Sequence, residues 1–145
     1  MPAPKSGPIA SQQAREQPMS ESEKYRIKVD AVAEFIPAQS DPDEDRYVFS
    51  YHITLTNTGA VAAQLISRHW IITDGTGKTQ EVRGLGVIGE QPVLAPGQQF
   101  SYSSGSVIET PVGTMQGTYQ MTAEDGHRFD AEIPAFVLAM PRVLH

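Results

Sequence analysis

Residues 65–89, LISRHWIITDGTGKTQEVRGLGVIG, decide how the chain is read. They hold its one tryptophan, Trp70, an Asp74-Gly75 turn signal, and a run, Gly84-Leu85-Gly86-Val87-Ile88-Gly89, that matches G-x-G-x-x-G letter for letter. In a dinucleotide fold such glycines let a strand turn tightly into a helix whose N-terminus holds a pyrophosphate. Here the run leads into Glu90-Gln91-Pro92-Val93-Leu94-Ala95-Pro96-Gly97, and prolines at 92 and 96 bar a helix of useful length. Glu109 falls about where a ribose-binding acid belongs, but without a βαβ unit that count carries no geometry. The favoured reading gives the glycines to a bulge or a close crossing between strands. A reduced phosphate reading stands beside it, in which successive N–H groups of Gly84 to Gly89 form an anion nest with no helix behind them.

Outward from this stretch the chain reads as short strands. Leu65 to Thr73 is rich in β-branched and aromatic residues, Asp74-Gly75 and Gly77 turn it, and Lys78 to Arg83 returns as a hairpin. Upstream, Tyr25, Ile27, Val29, Ala31, Ala33 and Phe35 alternate with polar residues, as do Tyr47, Phe49, Tyr51, Ile53 and Leu55. Downstream, Phe100 and Tyr102 alternate within Gln99 to Ser104, and Gly105 to Thr114 reads as a loop broken by Pro111 and Gly113. Thr118 to Glu124 and Arg128 to Ile133 are the last clear strands, with Phe136 to Leu138 continuing past Pro134 as an edge segment. Seven to eight strands and no window of helical period predict an all-β fold. It is an antiparallel sandwich of immunoglobulin or fibronectin type III style, with a closed barrel as the alternative. Trp70 is expected in the core, and Tyr119 stands where a tyrosine corner belongs.

Composition narrows the function classes. The 145 residues suit one domain, and residues 1–23, rich in Pro, Ser, Gln and Ala, read as a disordered tail ahead of a domain at 24–145. There is no cysteine, no signal-like apolar run and no stretch long enough to span a bilayer, which predicts a cytoplasmic protein without membrane insertion. A net charge of −6 without any Lys/Arg cluster argues against nucleic acid.

From about Tyr25 to Pro141 the chain resembles the ApaG domain family. The resemblance is carried by Arg68-His69-Trp70-Ile71-Ile72-Thr73-Asp74, by Glu81-Val82-Arg83 through Gly84–Gly89 to Pro92, by Leu94-Ala95-Pro96-Gly97, by Phe100 to Gly105, and by Thr110 to Tyr119. It implies a fibronectin-type-III-like sandwich without catalytic residues or a cofactor. It also implies a role in protein interaction and an association with cobalt tolerance, magnesium efflux and genes for dinucleoside tetraphosphate hydrolysis.

Candidate sites follow. Leu85, Val87 and Ile88, framed by Gly84, Gly86 and Gly89, form an expected exposed apolar patch for a protein partner; the same loop is the candidate for a phosphorylated small molecule. Asp41, Asp43, Glu44 and Asp45 place carboxylates as a calcium loop does, but Arg46 stands at the glycine position and His52 at the twelfth. Weak divalent-cation binding is the most that loop suggests, and a solvated acidic surface is the favoured reading. His52, His69, His127 and His145 lack zinc spacing, and His69 is expected to bond a neighbouring loop. Ser103-Ser104-Gly105-Ser106 lacks a nucleophile elbow and reads as loop serines. No metal site and no catalytic residue is assigned. The expected function is a non-enzymatic protein-interaction module, with an anion or nucleotide sensor as the alternative.

Overall fold

The computed structural model describes residues 20–142. Its strands are β1 (Ile27–Phe35), β2 (Tyr47–Asn57), β3 (Ala63–Asp74), β4 (Thr79–Leu85), β5 (Val93–Leu94), β6 (Gln99–Ile108), β7 (Val112–Ala123) and β8 (Arg128–Ala139). One sheet has the order β1-β2-β6 and the other β4-β3-β7-β8, with the short β5 also pairing β3. Every ladder is antiparallel. Among the described residues no ladder joins the two sheets, so the sandwich stands and the closed barrel falls.

Alternation explains the layers. Tyr47, Phe49, Tyr51, Ile53 and Leu55 of β2 are all buried and face Trp70, Met115, Tyr119, Met121 and Ile133 of the other sheet in one core. Each fully buried aliphatic or aromatic side chain contributes about 1.5–3 kcal/mol, and none of this core needs a disulfide. At its centre Trp70 meets Tyr51, Tyr119 and Phe136 edge-to-face or nearly so, with ring centroids 5.3, 6.3 and 5.9 Å away. Asn57, buried at the end of β2, ties the surrounding loops together. Its amide donates to the carbonyls of Val61 and Leu94, and its carbonyl side chain accepts from Gly59 N–H.

Two strands break strict alternation. Leu65 and Trp70 are both buried although five apart, and the ladder with β7 skips Ile66 at a β-bulge. In β8 both Ile133 and Leu138 are buried; there Pro134 and Ala135 stand together opposite Gln116, where a bulge dispenses with the N–H that proline lacks.

Several expectations need correction. Gly105 to Thr114 is not a loop: β6 runs through Gly105 to Ile108 and β7 begins at Val112, leaving only residues 109–111 between them. Gly113, and Gly117 just beyond it, serve close approach rather than turning. A Cβ at Gly113 would stand 2.7 Å from the Thr73 carbonyl oxygen, and one at Gly117 would stand 2.1 Å from that of His69. Tyr119 makes no tyrosine corner, because it lies mid-strand and its hydroxyl pairs with that of Tyr102 on the other sheet at 2.5 Å. The tail expected at residues 1–23 lies outside the described residues as far as Met19. Its last residues carry structure: Ser20 caps a helical turn, α1 (Glu21–Lys24), in a capping box with Glu23.

The Tyr102–Tyr119 pair generates a prediction. Burial pushes the Tyr102 hydroxyl up to about 12, and burial with the adjacent Tyr102 pushes Tyr119 up further. Ionisation therefore favours the unfolded chain, so this contribution is complete below pH 10 and is lost as pH rises from 10 towards about 12. Tyr102→Phe leaves the buried Tyr119 hydroxyl unpartnered and should cost about 1–3 kcal/mol in urea unfolding, whereas Tyr102→Phe/Tyr119→Phe should be close to neutral. The double variant should also flatten the alkaline decline; a single variant as stable as the parent would refute the pairing.

Candidate functional site

The β3–β4 hairpin carries the glycine run. Asp74 closes its turn, its carboxylate accepting from the N–H groups of Thr76 and Lys78 and from the Thr76 hydroxyl. The Thr76 hydroxyl bond, foremost among these contacts, holds the Asp74 carboxyl below its usual range. β4 returns along β3 with Val82 opposite Trp70, Gly84 opposite Arg68 and Leu85 opposite Ser67.

At that end Arg68 takes control. It shares a face with Tyr119, its partner in the β3–β7 ladder, and its guanidinium Nη1 donates to the carbonyls of Leu85 and Gly86 at 3.1 and 2.8 Å. A Cβ on Gly84 would stand 2.8 Å from that Nη1, so glycine there makes the room that the guanidinium fills. Gly86 lies at φ 61, and a Cβ on it would stand 2.4 Å from the Glu90 carbonyl oxygen, so position 86 admits no side chain. Its N–H donates to the Ile66 carbonyl at 2.8 Å, which the bulge has freed.

Val87 and Glu90 then exchange both main-chain bonds, at 2.8 and 2.9 Å. Between them Ile88 at φ 44 and Gly89 at φ 79 form a two-residue turn with both central residues in the left-handed region, as in type I′. No helix follows, and Gln91-Pro92 leads straight into β5. The three glycines thus shape a hairpin end, as the strand-shaping reading holds.

The expected patch is corrected at one residue. Val87 is completely buried and belongs to the core, whereas Leu85 and Ile88 are 76 % and 58 % exposed. Leu85 borders a shallow groove across the outer face of the larger sheet, shared with Ser67, Arg83, Thr118, Gln120 and Asp130. That groove adjoins another lined by Ile66, Thr122, Arg128 and again Gln120 and Asp130. Its floor is ordered by a chain of bonds, Ser67 hydroxyl to Gln120 Oε1 and Gln120 Nε2 to Thr118 Oγ1, each 2.8 Å.

The remaining candidates disperse. Asp41 to Asp45 form a tight turn in which Asp45 lies at φ 53 and Asp41 bridges Arg46; among the described residues no three His, Asp or Glu side chains converge on a metal position. Among the described residues His69 bonds a strand rather than a loop: its Nε2 meets Glu81 Oε1 on β4 at 2.7 Å. Ser103 lies in strand β6, where its hydroxyl meets His52 Nδ1 at 2.8 Å, and among the described residues no carboxylate bonds that histidine to extend the pair. His127 stacks on Tyr25 with centroids 4.0 Å apart. His145 lies outside the described residues. Among the described residues no helix is long and apolar enough to cross a membrane.

A family model described as the ApaG domain matches residues 37–123, from the first turn after β1 to the end of β7. The chain belongs to the ApaG domain family. It is 87 % identical over 127 residues to Protein ApaG of Aromatoleum aromaticum, an alignment spanning 88 % of this chain and all of that one. It is 71 % identical, with the same coverage, to Protein ApaG of an Azoarcus species. Among solved structures it superposes on the putative ApaA protein from Bordetella pertussis with a TM-score of 0.80 at 53 % identity, covering 83 % of this chain and 98 % of the other.

The role of Arg68 in this ApaG domain was missed by reading the sequence for motifs. The signal was present: Arg68 has the same strand parity as Trp70 and Ile72, and a charge on the core side of a strand must find acceptors. Ile88 generates the next prediction. A β-branched residue in the left-handed region costs about 1–2 kcal/mol, and Asn-Gly is the preferred pair for this turn. Ile88→Asn should therefore raise the unfolding free energy by roughly 1 kcal/mol, read as a higher urea midpoint at unchanged m-value; a lower midpoint would show that the isoleucine supports the fold.

Proposed function

We propose that this ApaG domain is a non-enzymatic protein-interaction module that meets its partner through Leu85 and Ile88 at the end of the β3–β4 hairpin. The observation that carries this is Ile88, a strained β-branched residue at φ 44 whose side chain points largely into solvent. Strain kept where it gives the fold nothing in return is characteristic of binding segments. The groove running from Leu85 past Gln120 to Asp130 supplies what such an anchor needs beside it: oriented polar groups that can satisfy a partner's own. The anion-sensor alternative is less well supported, since the N–H groups of Gly86, Val87 and Glu90 all donate within the protein and the Arg68 Nη1 donates to loop carbonyls.

The test compares capture by the parent chain and by Leu85→Ser/Ile88→Asn from lysate of the native cell, quantified by mass spectrometry. The double variant should fold with undiminished stability and lose at least tenfold of the specifically retained protein; equal retention would remove the loop from the interaction. Pyrophosphate and ATP at millimolar concentration should leave the amide resonances of Gly84 to Gly89 in place. Shifts confined to those glycines would reinstate the sensor.

A further inference from the structure

We infer that the free edge of β6 pairs with β6 of a second copy of this chain, joining two three-stranded sheets into one of six strands. The two sheets have four outermost strands, β1, β6, β4 and β8. Soluble proteins blunt such edges with charges, prolines or bulges, because unpaired N–H and C=O groups template pairing with another strand. Three of the four follow that rule. β1 carries Lys28, Asp30 and Glu34, β4 carries Glu81 and Arg83, and β8 carries Arg128, Asp130 and Glu132 together with Pro134 in its bulge.

β6 has none of these. Its ten residues, QFSYSSGSVI, include no charge and no proline, and its register with β2 runs without a break from Gln99 to Ile108. Alternate residues of an antiparallel edge strand direct both main-chain groups away from the neighbour. Among the described residues no hydrogen bond outside the β2 ladder engages the main chain of β6. The middle of its outer row, Ser101, Ser103 and Gly105, is small as well, and Ser101 and Ser103 are turned towards Thr54 and His52 of β2.

A second copy fits this edge by parity and by charge. In antiparallel pairing, directly opposed residues share a face, so a two-fold axis normal to the sheet must lie midway between one residue and its own counterpart. With Ser104 opposite its counterpart, Ser103 of each copy opposes Gly105 of the other on the exposed face, while on the buried face Tyr102 opposes Ser106 and Phe100 opposes Ile108, apolar against apolar. Glu109, the first charge beyond the strand, falls opposite Gln99 rather than against its own counterpart. The net charge of −6 is thus kept away from the seam. A single pairing event covers both open edges.

Sedimentation equilibrium across a concentration series, with amide hydrogen exchange followed by NMR at its two ends, tests this inference. The expected result is a shift from 15.8 kDa towards twice that mass, accompanied by protection of the alternate β6 amides that exchange freely when dilute. Ser103→Lys, a charge of the kind that guards the other edges, should hold the chain monomeric, with a melting temperature that matches the parent's at dilution and, unlike the parent's, does not rise with concentration. Leu85→Ser/Ile88→Asn should dimerise as the parent does, which separates this seam from the hairpin end. A chain that stays at 15.8 kDa to millimolar concentration overturns the inference. So does a dimer whose β6 amides remain unprotected, or one made by another protein's strand in place of a second copy.

Discussion

One guanidinium decides how β4 ends. Arg68 stands on the core side of β3 beside Tyr119, where an unpartnered cation would be costly, and the bonds its Nη1 makes go to the carbonyls of Leu85 and Gly86. Charge-assisted bonds of this kind are about twice as strong as neutral ones. By fixing those carbonyls, Arg68 sets the direction in which the chain leaves the strand. Val87 then enters the core while Leu85 and Ile88 are left outside. The glycines are accommodations to that event: Gly84 clears space for the guanidinium and Gly86 clears space for the Glu90 carbonyl.

The hairpin end and the outer face of the larger sheet are one continuous surface. Ser67 pairs with Leu85 across β3–β4 and with Gln120 across β3–β7, and Gln120 pairs with Asp130 across β7–β8. An apolar anchor therefore sits at one end of a polar row that crosses all four long strands of that sheet. Along it His69 is held by Glu81 and Ser67 by Gln120, so the polar side chains of the row are fixed by one another.

Much of this fold was legible wherever alternation was clean. β1 and β2 announce themselves because every second residue from Ile27 and from Tyr47 is apolar, and the Asp74-Gly75 turn places β3 against β4 unaided. Legibility failed at the end of β6 and the start of β7, where Gly105, Pro111 and Gly113 suggest a loop and Gly117 gives no strand signal. Gly113 and Gly117 lie where a neighbouring backbone comes too near for any side chain, a property of the pairing that no local pattern reveals. At the glycine run the prolines that follow are the legible part: no helix begins there. The burial of Val87 was not foreseen, because its direction depends on Arg68, nineteen positions earlier and on another strand.

The supernumerary residue in β3 has an evolutionary consequence. Because Ile66 lies out of count, its carbonyl is withdrawn from β7 and serves instead as the mooring for Gly86 N–H and the Gln91 side chain, both at 2.8 Å. Losing that one codon would restore perfect alternation from Leu65 to Trp70 and spare the hydrophobic interior, yet cast the hairpin end adrift. A deletion at 66 would thus be felt at the hairpin end rather than in the interior, because the parity of Leu65 and Trp70 survives it and the Ile66 carbonyl does not.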